Sequence, residues 1–504
     1  MYTIHHYVNG EAWEGTTGNT QPVLNPSTGQ EQAAVALANT ADVDHVVAEA
    51  EKAQPKWAVM NPQKRVRVIM EWIRLIHANM DELARTLSLQ HGKTFEDAKG
   101  DVLRGVDVLE FALGAPHQLK GEYSTEVGTG IDTYSLRQPL GVVAGITPFN
   151  FPAMIPLWKA GPALASGNAF VLKPSERDPE VPVRLAELFI EAGGPAGVFN
   201  VVHGGKEAVD ALLDNPTIKA VGFVGSTPIA NYIYERCAAN GKRAQCFGGA
   251  KNHAIVLPDA DIEATADALA GAAFGAAGER CMALSVVVPV GKETADMLRE
   301  ALIRKIPDLK VGHCLDPEAD YGPLVTADAR DRVNRLIGEG VEAGADLVVD
   351  GRDIDMSGKE FEGESLEGGF YCGPSFFDNV TAHMSIYTEE IFGPVLSMVR
   401  AETLEEAISY PNDHMYGNGV AIFTQNGGAA RDFVKNINVG MVGVNVPIPV
   451  PIAYHTFGGW KASGFGDLNQ HGPDAFRFYT KTKTVTSRWP DDQNAGPQFT
   501  MPVM

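Results

Sequence analysis

A single cysteine in the segment GERCMALS, residues 278–285, is the first candidate for chemistry in this chain. Cys281 follows Arg280 and a run of alanines and glycines. The thiolate form of cysteine attacks carbonyl carbons, and a neighbouring guanidinium favours that form. Small buried cysteines also occur as core filler, so the residue alone leaves both roles open. The other cysteines show no C-x-x-C spacing and are expected to be free thiols rather than zinc ligands or disulfides: Cys237, Cys246, Cys314 and Cys372.

Polar residues near predicted strand ends are the next candidates. Asn150 stands on a proline-bounded turn in GITPFNFPAM. Its carboxamide could donate to a developing oxyanion without titrating, or it could simply cap the turn. Lys173 and Glu176 follow the strand NAFVL, at the carboxyl end where open α/β sheets bind ligands and where an acidic residue often binds ribose hydroxyls. A solvated loop pair is the alternative.

Two further segments are compatible with a dinucleotide. In AVGFVGSTPIA a strand passes through Gly225 and Ser226 into a helix, whose free backbone N–H groups would suit a pyrophosphate. A plain tight turn would look the same, because the chain contains no G-x-G-x-x-G. In EEIFGPV, residues 389–395, Glu390 could hold a second ribose and Phe392 could support a planar ring. A surface acid and a core aromatic are the alternative there.

These residues need a frame of strands and helices to bring them together. Between Asp42 and Gly114, apolar residues at three- and four-residue spacing predict helices. From Gly141 onward, apolar runs such as GVVAGITPF and IKAVGFVGS alternate with helical stretches, which predicts a doubly wound parallel sheet. A second such series after Cys281 predicts a second α/β domain. The stretches GEYSTEVGTGIDTYSLRQ and DAFRFYTKTKTVTSRW read as strands outside both sheets, arms of a kind that often pair with another subunit.

Composition excludes several classes of protein. The chain has 504 residues, 44% of them hydrophobic and 21% charged, which is typical of a globular protein with two or three domains. Its net charge of −22 disfavours nucleic-acid and anionic membrane partners. The apolar runs are too short for a membrane span and the N-terminus lacks a signal-peptide pattern, so we expect a cytoplasmic protein. H-E-x-x-H, G-x-S-x-G and P-loop motifs are missing from the sequence, and we expect no metal.

Taken in order, TPFNFPAMIPLWK, LKPSERDP, FVGSTPIA, GERC and EEIFGPV resemble the aldehyde dehydrogenase superfamily over essentially the whole chain. The resemblance implies a doubly wound NAD-binding domain (1–120 and 140–250), an α/β catalytic domain (251–465), and a β oligomerisation arm and tail (121–139 and 466–504) in a homo-oligomer, either dimer or tetramer. It implies Cys281 as nucleophile and Asn150 as oxyanion donor. A carboxylate at Glu176 would repel a 2′-phosphate, so NAD is expected rather than NADP. The implied dinucleotide contacts are Thr147, Phe149, Lys173, Glu176, Arg177, Gly225, Ser226, Glu390 and Phe392.

One position departs from the hydrolytic members of that superfamily, which carry a glutamate before an LGGK-like segment. Here the segment is QCFGGAKN, and aligning its lysine to Lys251 places Phe247 where that general base would stand. Hydrolysis of an acyl-enzyme should then be slow, since a positioned base is worth about two to four powers of ten in rate. The thiol of coenzyme A would collect the acyl group instead. Glu279 is an alternative base, although an ion pair with Arg280 is its expected role.

The segments GAKNH, GAAFGAAGERCMALS and VGVNVPIPVP resemble the CoA-acylating branch of the superfamily. That resemblance implies oxidation of malonate or methylmalonate semialdehyde, a small-molecule substrate, to acetyl-CoA or propionyl-CoA and carbon dioxide. A substrate carboxylate requires cations, and Arg280 and Arg104 are the predicted bidentate partners. Arg104 also reads as a solvated helix arginine. An enzyme that releases the free acid and a catalytically silent homologue are the competing hypotheses.

Overall fold

Two mainly parallel sheets organise the chain, whose computed structural model describes residues 2–489. In the first sheet, the parallel strands start at the central strand Val142–Ile146 and are added first on one side and then on the other. The strands at its two edges, Gly464–Phe465 on one side and His6–Val8 with Glu11–Trp13 on the other, join through antiparallel pairings. The doubly wound sheet predicted from the strand alternation is therefore confirmed. The eight strands run, in spatial order, Gly464–Phe465, Arg243–Phe247, Ile218–Val224, Val142–Ile146, Ala169–Lys173, Phe199–Val201, His6–Val8 and Glu11–Trp13.

The second sheet follows the same logic. Its pairings are parallel except at Asp346–Val349, which is antiparallel to its neighbour. Central strands of both sheets are buried on both faces, as their nearly continuous apolar sequences require. The seven strands run, in spatial order, Asp346–Val349, Ser375–Asp378, Val395–Met398, Leu284–Pro289, Asn252–Val256, Gly419–Phe423 and Met441–Val444.

The two stretches predicted to lie outside both sheets pair with each other. Thr480–Arg488 runs antiparallel to Ile131–Pro139 along their whole length, and Tyr123–Gly128 adds a third strand. The predicted tail continued to residue 504, and residues 490–504 lie outside the described part of the chain. The remaining small sheets are Tyr2–Ile4 with Gln30–Ala36 and Thr20–Asn25, Glu360–Phe361 with Glu364–Ser365, and Tyr416–Gly417 with Trp460–Lys461.

Helices cover the sheets, and the region predicted to be helical from its spacing is helical. The long helix Phe95–Ala112 begins at Thr94, whose side chain caps the N–H of Asp97. Within residues 2–489, no helix has the length and apolar composition needed to cross a bilayer. The helices are Thr40–Val59, Pro62–Ala78, Met80–His91, Phe95–Ala112, Ala115–Gln118, Met154–Ala165, Glu180–Glu191, Lys206–Asp214, Thr227–Ala239, Ile262–Phe274, Lys292–Lys305, Ala327–Glu342, Ser385–Thr388, Leu404–Asp413, Gly427–Asn436 and Gly472–Phe478, with short 3₁₀ turns at Gly275–Gly278 and Ile306–Asp308.

Candidate active site

A strained turn presents Cys281. After the helix Ile262–Phe274, Ala276 and Ala277 adopt φ values of 51° and 53°, in the left-handed region that alanine rarely occupies. Gly278 follows with φ of 74°. A Cβ on Gly278 would lie 2.2 Å from the carbonyl oxygen of Gly393, so this turn requires glycine for close packing as well as for its backbone angle. Glu279 and Arg280 connect the end of this turn to the cysteine.

Two carboxamides fix the backbone of the nucleophile. The carbonyl of Cys281 accepts hydrogen bonds from Asn252 Nδ2 at 3.0 Å and from Asn418 Nδ2 at 3.1 Å. Asn252 also accepts from the N–H of Gly419 at 3.0 Å, which joins two neighbouring strands at their amino ends. Sequence reasoning missed both asparagines, because nothing in their local pattern shows that they converge on one carbonyl.

Asn150 lies next to the nucleophile loop. Its Nδ2 donates to the carbonyl of Glu279 at 2.9 Å, two residues before Cys281. The backbone carbonyl of Asn150 accepts a hydrogen bond from Lys93 Nζ at 2.7 Å. Lys93 forms a fully buried ion pair with Asp101 at 3.1 Å, and Asp101 accepts from the N–H of Met154 at 2.7 Å. The buried pair therefore holds the loop of Asn150 on both sides. Sequence reasoning missed it as well.

The environment of the thiol opposes ionisation. Burial raises the pKa of Cys281 to about 12, and the negative charge of Glu390 acts in the same direction. The backbone N–H groups of Cys281 and Met282, and the Lys93 ammonium, lower it. The guanidinium of Arg280 faces Asp97, with Nη2 to Oδ1 at 2.6 Å. Arg280 is not among the main groups that shift the pKa of Cys281, so its expected support of the thiolate stays a prediction.

Glu279 does not form the ion pair with Arg280 that the sequence suggested. Its side chain is buried, and Oε1 accepts from the N–H of Val325 at 3.3 Å. Burial raises the pKa of the Glu279 carboxyl to about 8. The residue lines neither of the two cavities that contain Cys281, so it is poorly placed to activate water there.

Phe247 stands at the carboxyl end of the strand Arg243–Phe247 and is 5% exposed. Its ring meets that of Phe457 edge to face, with centroids 6.2 Å apart. Both rings belong to an apolar cluster against which Cys281 packs. The position aligned with the hydrolytic base is thus part of an apolar wall beside the nucleophile.

A cavity of about 440 Å³ opens on one side of Cys281 and is large enough for a small aldehyde. Both arginines predicted to bind a carboxylate line it. Arg104 donates to Asp107 at 3.2 Å and to the carbonyl of Pro451 at 3.1 Å, which leaves part of its guanidinium for a ligand. The cavity therefore combines a nucleophile, two arginines and an apolar wall, and Asp97 and Asp101 line it as well.

The predicted dinucleotide contacts gather at the switch point of the first sheet, where ligands bind in doubly wound folds. Thr147 follows the strand Val142–Ile146, and its Oγ1 is buried without a hydrogen-bond partner among the described residues. Lys173 Nζ lies 2.6 Å from Glu176 Oε1. The Lys173 side chain is only 6% exposed, so this is not a solvated loop pair.

Aromatic and glycine residues complete this side of the site. Phe149 lies between Arg177, whose guanidinium carbon is 4.8 Å from its ring centroid, and Phe392, whose ring is 5.9 Å away edge to face. Ser226 precedes the helix Thr227–Ala239 as predicted. Gly225 does not offer a free N–H, however, because that group donates to the carbonyl of Phe247 in the neighbouring strand at 3.0 Å.

Glu390 and Phe392 lie beside the nucleophile but do not line the 440 Å³ cavity. They share with Cys281 a narrow cleft of about 10 Å³. Glu390 accepts from the N–H of Ala250 at 2.9 Å, and burial raises its pKa to about 7. A Cβ on Gly249 would lie 2.5 Å from Glu390 Oε2, so glycine leaves space for this carboxylate. Cys281 is therefore accessible from two cavities with different linings.

Comparisons with known proteins point to one family. The profile described as the aldehyde dehydrogenase family matches residues 13–485. The chain is 52% identical to a malonate-semialdehyde dehydrogenase of Pseudomonas aeruginosa, with 100% of both chains covered. It superposes with a TM-score of 0.96 and 58% identity on a Sinorhizobium meliloti protein that carries a provisional methylmalonate-semialdehyde dehydrogenase name and was crystallised with NAD; 98% of this chain and 99% of that one are covered. For methylmalonate-semialdehyde dehydrogenase from Oceanimonas doudoroffii the TM-score is 0.94, at 51% identity and with 98% and 99% covered.

Proposed function

The chain belongs to the aldehyde dehydrogenase family, and from this premise we propose that it oxidises malonate or methylmalonate semialdehyde with NAD, passing the acyl group to coenzyme A with loss of carbon dioxide. The names of the relatives support the substrate class. The observation that carries the proposal is the 440 Å³ cavity in which Cys281 lies with Arg104 and Arg280. Two cations beside a nucleophile suit an aldehyde that also bears a carboxylate.

Oxidation begins with attack of the Cys281 thiolate on the aldehyde carbon, which turns the carbonyl oxygen into an oxyanion. Asn150 Nδ2 and the backbone N–H of Cys281 are the proposed donors to that oxygen. Asn150 would exchange its hydrogen bond to the Glu279 carbonyl for one to the oxyanion. Bound NAD would supply the hydride acceptor, and loss of the hydride from this carbon would leave an acyl thioester on Cys281.

The residues at the switch point fit a dinucleotide. The unpartnered hydroxyl of Thr147 is a buried polar atom that a ligand could satisfy. Lys173 and Glu176 would hold a ribose and Ser226 the pyrophosphate, while Glu390 and Phe392 would hold the nicotinamide half; Phe149, Arg177 and Gly225 would line the same groove. The carboxylate of Glu176 favours NAD over NADP, because a 2′-phosphate beside it would be repelled.

Release of the acyl group follows from what the site lacks. Phe247 cannot activate water, and Glu279 lines neither cavity at the thioester. The thiol of coenzyme A attacks the thioester carbon, the Cys281 sulfur leaves as thiolate, and an acyl-CoA forms. The substrate carboxylate lies β to the thioester carbonyl, so carbon dioxide can leave through an enolate that is then protonated. Arg280 and Arg104 are the proposed partners of that carboxylate.

A product assay tests the proposal. Malonate semialdehyde, methylmalonate semialdehyde and propanal are each supplied with NAD, with and without coenzyme A, and NADH, acyl-CoA and free acid are measured. We expect the semialdehydes to exceed propanal in kcat/KM and sustained NADH formation to require coenzyme A. If propanal is the best substrate, the arginines do not select a carboxylate. If free acid forms at full rate without coenzyme A, the hydrolytic alternative is correct.

A catalytically silent homologue is tested separately, by labelling Cys281 with iodoacetamide. Protection of the thiol by NAD or aldehyde would exclude that alternative, and labelling unaffected by either would favour it. We also propose that the chain forms a homo-oligomer in the cytoplasm, with the strands Ile131–Pro139 and Thr480–Arg488 as its arm. These strands expose much of their surface. Light scattering on the intact protein should give the mass of a dimer or tetramer, and a monomer mass would contradict the homo-oligomer.

A further inference from the structure

The substrate cavity contains a pairing that the steps above do not use. Arg280 Nη2 donates to Asp97 Oδ1 at 2.6 Å, although the residues lie 183 positions apart in the chain. The two side chains are 24% and 22% exposed, so water shields their charges only in part. Asp97 Oδ2 is buried and has no hydrogen-bond partner among residues 2–489. The carboxylate therefore holds the guanidinium by one edge.

Gly275 supplies the surface on which this guanidinium lies. A Cβ built on Gly275 would be 2.7 Å from Arg280 Nη1 and 3.0 Å from its Cζ. The backbone does not require glycine here, because φ is −55°, a value open to every L-residue. The missing side chain instead leaves the space that Arg280 occupies.

The opposite edge of Arg280 remains available to a ligand. Within the described part of the chain, the bond to Asp97 is the only hydrogen bond of the Arg280 guanidinium, whereas a guanidinium carries several N–H donors in a rigid fork. Arg280 lines both the 440 Å³ cavity and the narrow cleft beside Cys281. A carboxylate bound there would lie close to the nucleophile.

We propose that Asp97 and Gly275 are positioning residues that lock Arg280 in the orientation that recognises the substrate carboxylate, and that they thereby set the preference for semialdehydes over neutral aldehydes. The inference rests on the proposed function, because it assigns the fixed guanidinium to the carboxylate of that substrate. A long side chain that is already immobilised loses less conformational entropy on binding than a free one. Selectivity then depends on two residues that need not touch the substrate carboxylate.

The variant Gly275→Ala tests whether Arg280 needs the space that the missing side chain leaves. We expect its kcat/KM for malonate semialdehyde to fall about 10- to 100-fold, mainly through KM, the range expected for a lost hydrogen bond to a charged group. The kcat/KM for propanal should fall much less than that for the semialdehyde, because propanal has no carboxylate to place. Gly100→Ala is the matched control, since Gly100 lines the same cavity but its Cβ would meet nothing within 4 Å. That variant should keep the wild-type ratio of the two substrates.

Variants of Asp97 test whether its hydrogen bond to Arg280 is needed, and they do so even if Gly275→Ala folds poorly. Asp97→Ala should lose selectivity for the semialdehyde, and Asp97→Asn, which keeps an oxygen acceptor, should restore part of it. If Asp97 were needed only for folding, Asp97→Ala would lower kcat/KM for both substrates together, and Asp97→Asn would not restore the selectivity. Equal substrate ratios in the wild type, Asp97→Ala and Gly275→Ala would overturn the inference.

Arg280→Ala separates this inference from the proposed function. If its ratio of semialdehyde to propanal kcat/KM matches the wild type, Arg280 does not bind the carboxylate and the substrate assignment itself fails. If Arg280→Ala loses the preference while Gly275→Ala and Asp97→Ala keep it, only the positioning role is wrong. In the double variant Asp97→Ala/Arg280→Ala the loss should equal that of Arg280→Ala alone, as expected for residues that act through one contact.

Discussion

Replacing Phe247 with glutamate should convert an enzyme that depends on coenzyme A into one that hydrolyses part of its acyl-enzyme. Phe247 packs against Phe457 in the apolar cluster that Cys281 contacts. A carboxylate in that position would belong to the wall against which Cys281 packs, and we expect it to take a proton from a water that attacks the thioester. Phe247→Gln is the matched control, because glutamine has nearly the same size and shape as glutamate but cannot act as a base.

The magnitude follows from the rate effect of a base and from its ionisation. A positioned general base contributes about 100- to 10,000-fold. Burial would raise the pKa of the introduced carboxyl, as it raises that of Glu390 to about 7 and that of Glu279 to about 8. Between those values, about a tenth to a half of the carboxyl groups are ionised at pH 7. We therefore expect CoA-independent turnover to rise about 10- to several-thousand-fold at pH 7.

The sign of the pH dependence is fixed by the same reasoning. A general base acts when deprotonated, so CoA-independent turnover of Phe247→Glu should increase as the pH rises through about 7 to 8 and then level off. The glutamine variant should lack that step. Both variants lose a buried aromatic ring, which costs about 3–5 kcal/mol for truncation to alanine, so both should show a lower Tm and must be compared with each other.

The assay follows NADH and free acid without coenzyme A, normalised to the number of titratable Cys281 thiols. Single-turnover NADH formation reports whether the cysteine is still acylated. If Phe247→Glu is folded and acylated but hydrolyses no faster than Phe247→Gln at any pH, then the missing carboxylate does not explain the dependence on coenzyme A. The reasoning from the aligned position would then be refuted.

Three further outcomes are expected. Asn150→Ala should lower kcat for NADH formation about 100- to 1000-fold, the effect of removing one oxyanion donor; an unchanged single-turnover rate would exclude that role. Glu390→Gln removes a charge that raises the pKa of Cys281, so iodoacetamide should label Cys281 at lower pH than in the wild type, and an unshifted profile would contradict the coupling. Lys93→Met strands Asp101 in the interior, which should cost about 3–5 kcal/mol in the free energy of unfolding; adding Asp101→Leu should recover Tm but not kcat, and recovery of kcat as well would show that the pair does not position Asn150.

The frame of the site could be predicted from the sequence because it depends on local patterns. The strands Val142–Ile146 and Ile218–Val224 are mainly apolar runs, and each is followed by the glycine, proline or polar residues that end a strand. Order along the chain then fixes which strand ends share an edge. Lys173 could therefore be placed at a ligand-binding strand end from the pattern alone, whereas Thr147 was expected only from the resemblance to the aldehyde dehydrogenase superfamily.

Partners that lie far apart in sequence could not be predicted. Arg280 pairs with Asp97, 183 residues away, and not with its neighbour Glu279. Lys93 and Asp101 look like surface residues of a polar helix start, yet both are fully buried. Their burial depends on the packing of one helix against the Asn150 loop, which no periodicity reveals. The prediction of a free N–H at Gly225 was wrong for the same reason, because a carbonyl of the neighbouring strand accepts a hydrogen bond from that N–H.

The high pKa of the nucleophile and the expected persistence of the thioester have a common cause. The apolar cluster that contains Phe247 packs against Cys281, which makes the thiolate costly in the free enzyme and places no base there to activate water for a later acyl group. A hydrolytic enzyme would need a polar base in that wall and would lose this protection. The Glu390 charge adds to the cost, so the groups that a bound cofactor and substrate bring against Glu390 and Cys281 must offset it. We therefore expect the thiol to be most reactive when cofactor and substrate are both bound, which is when it has a carbonyl to attack.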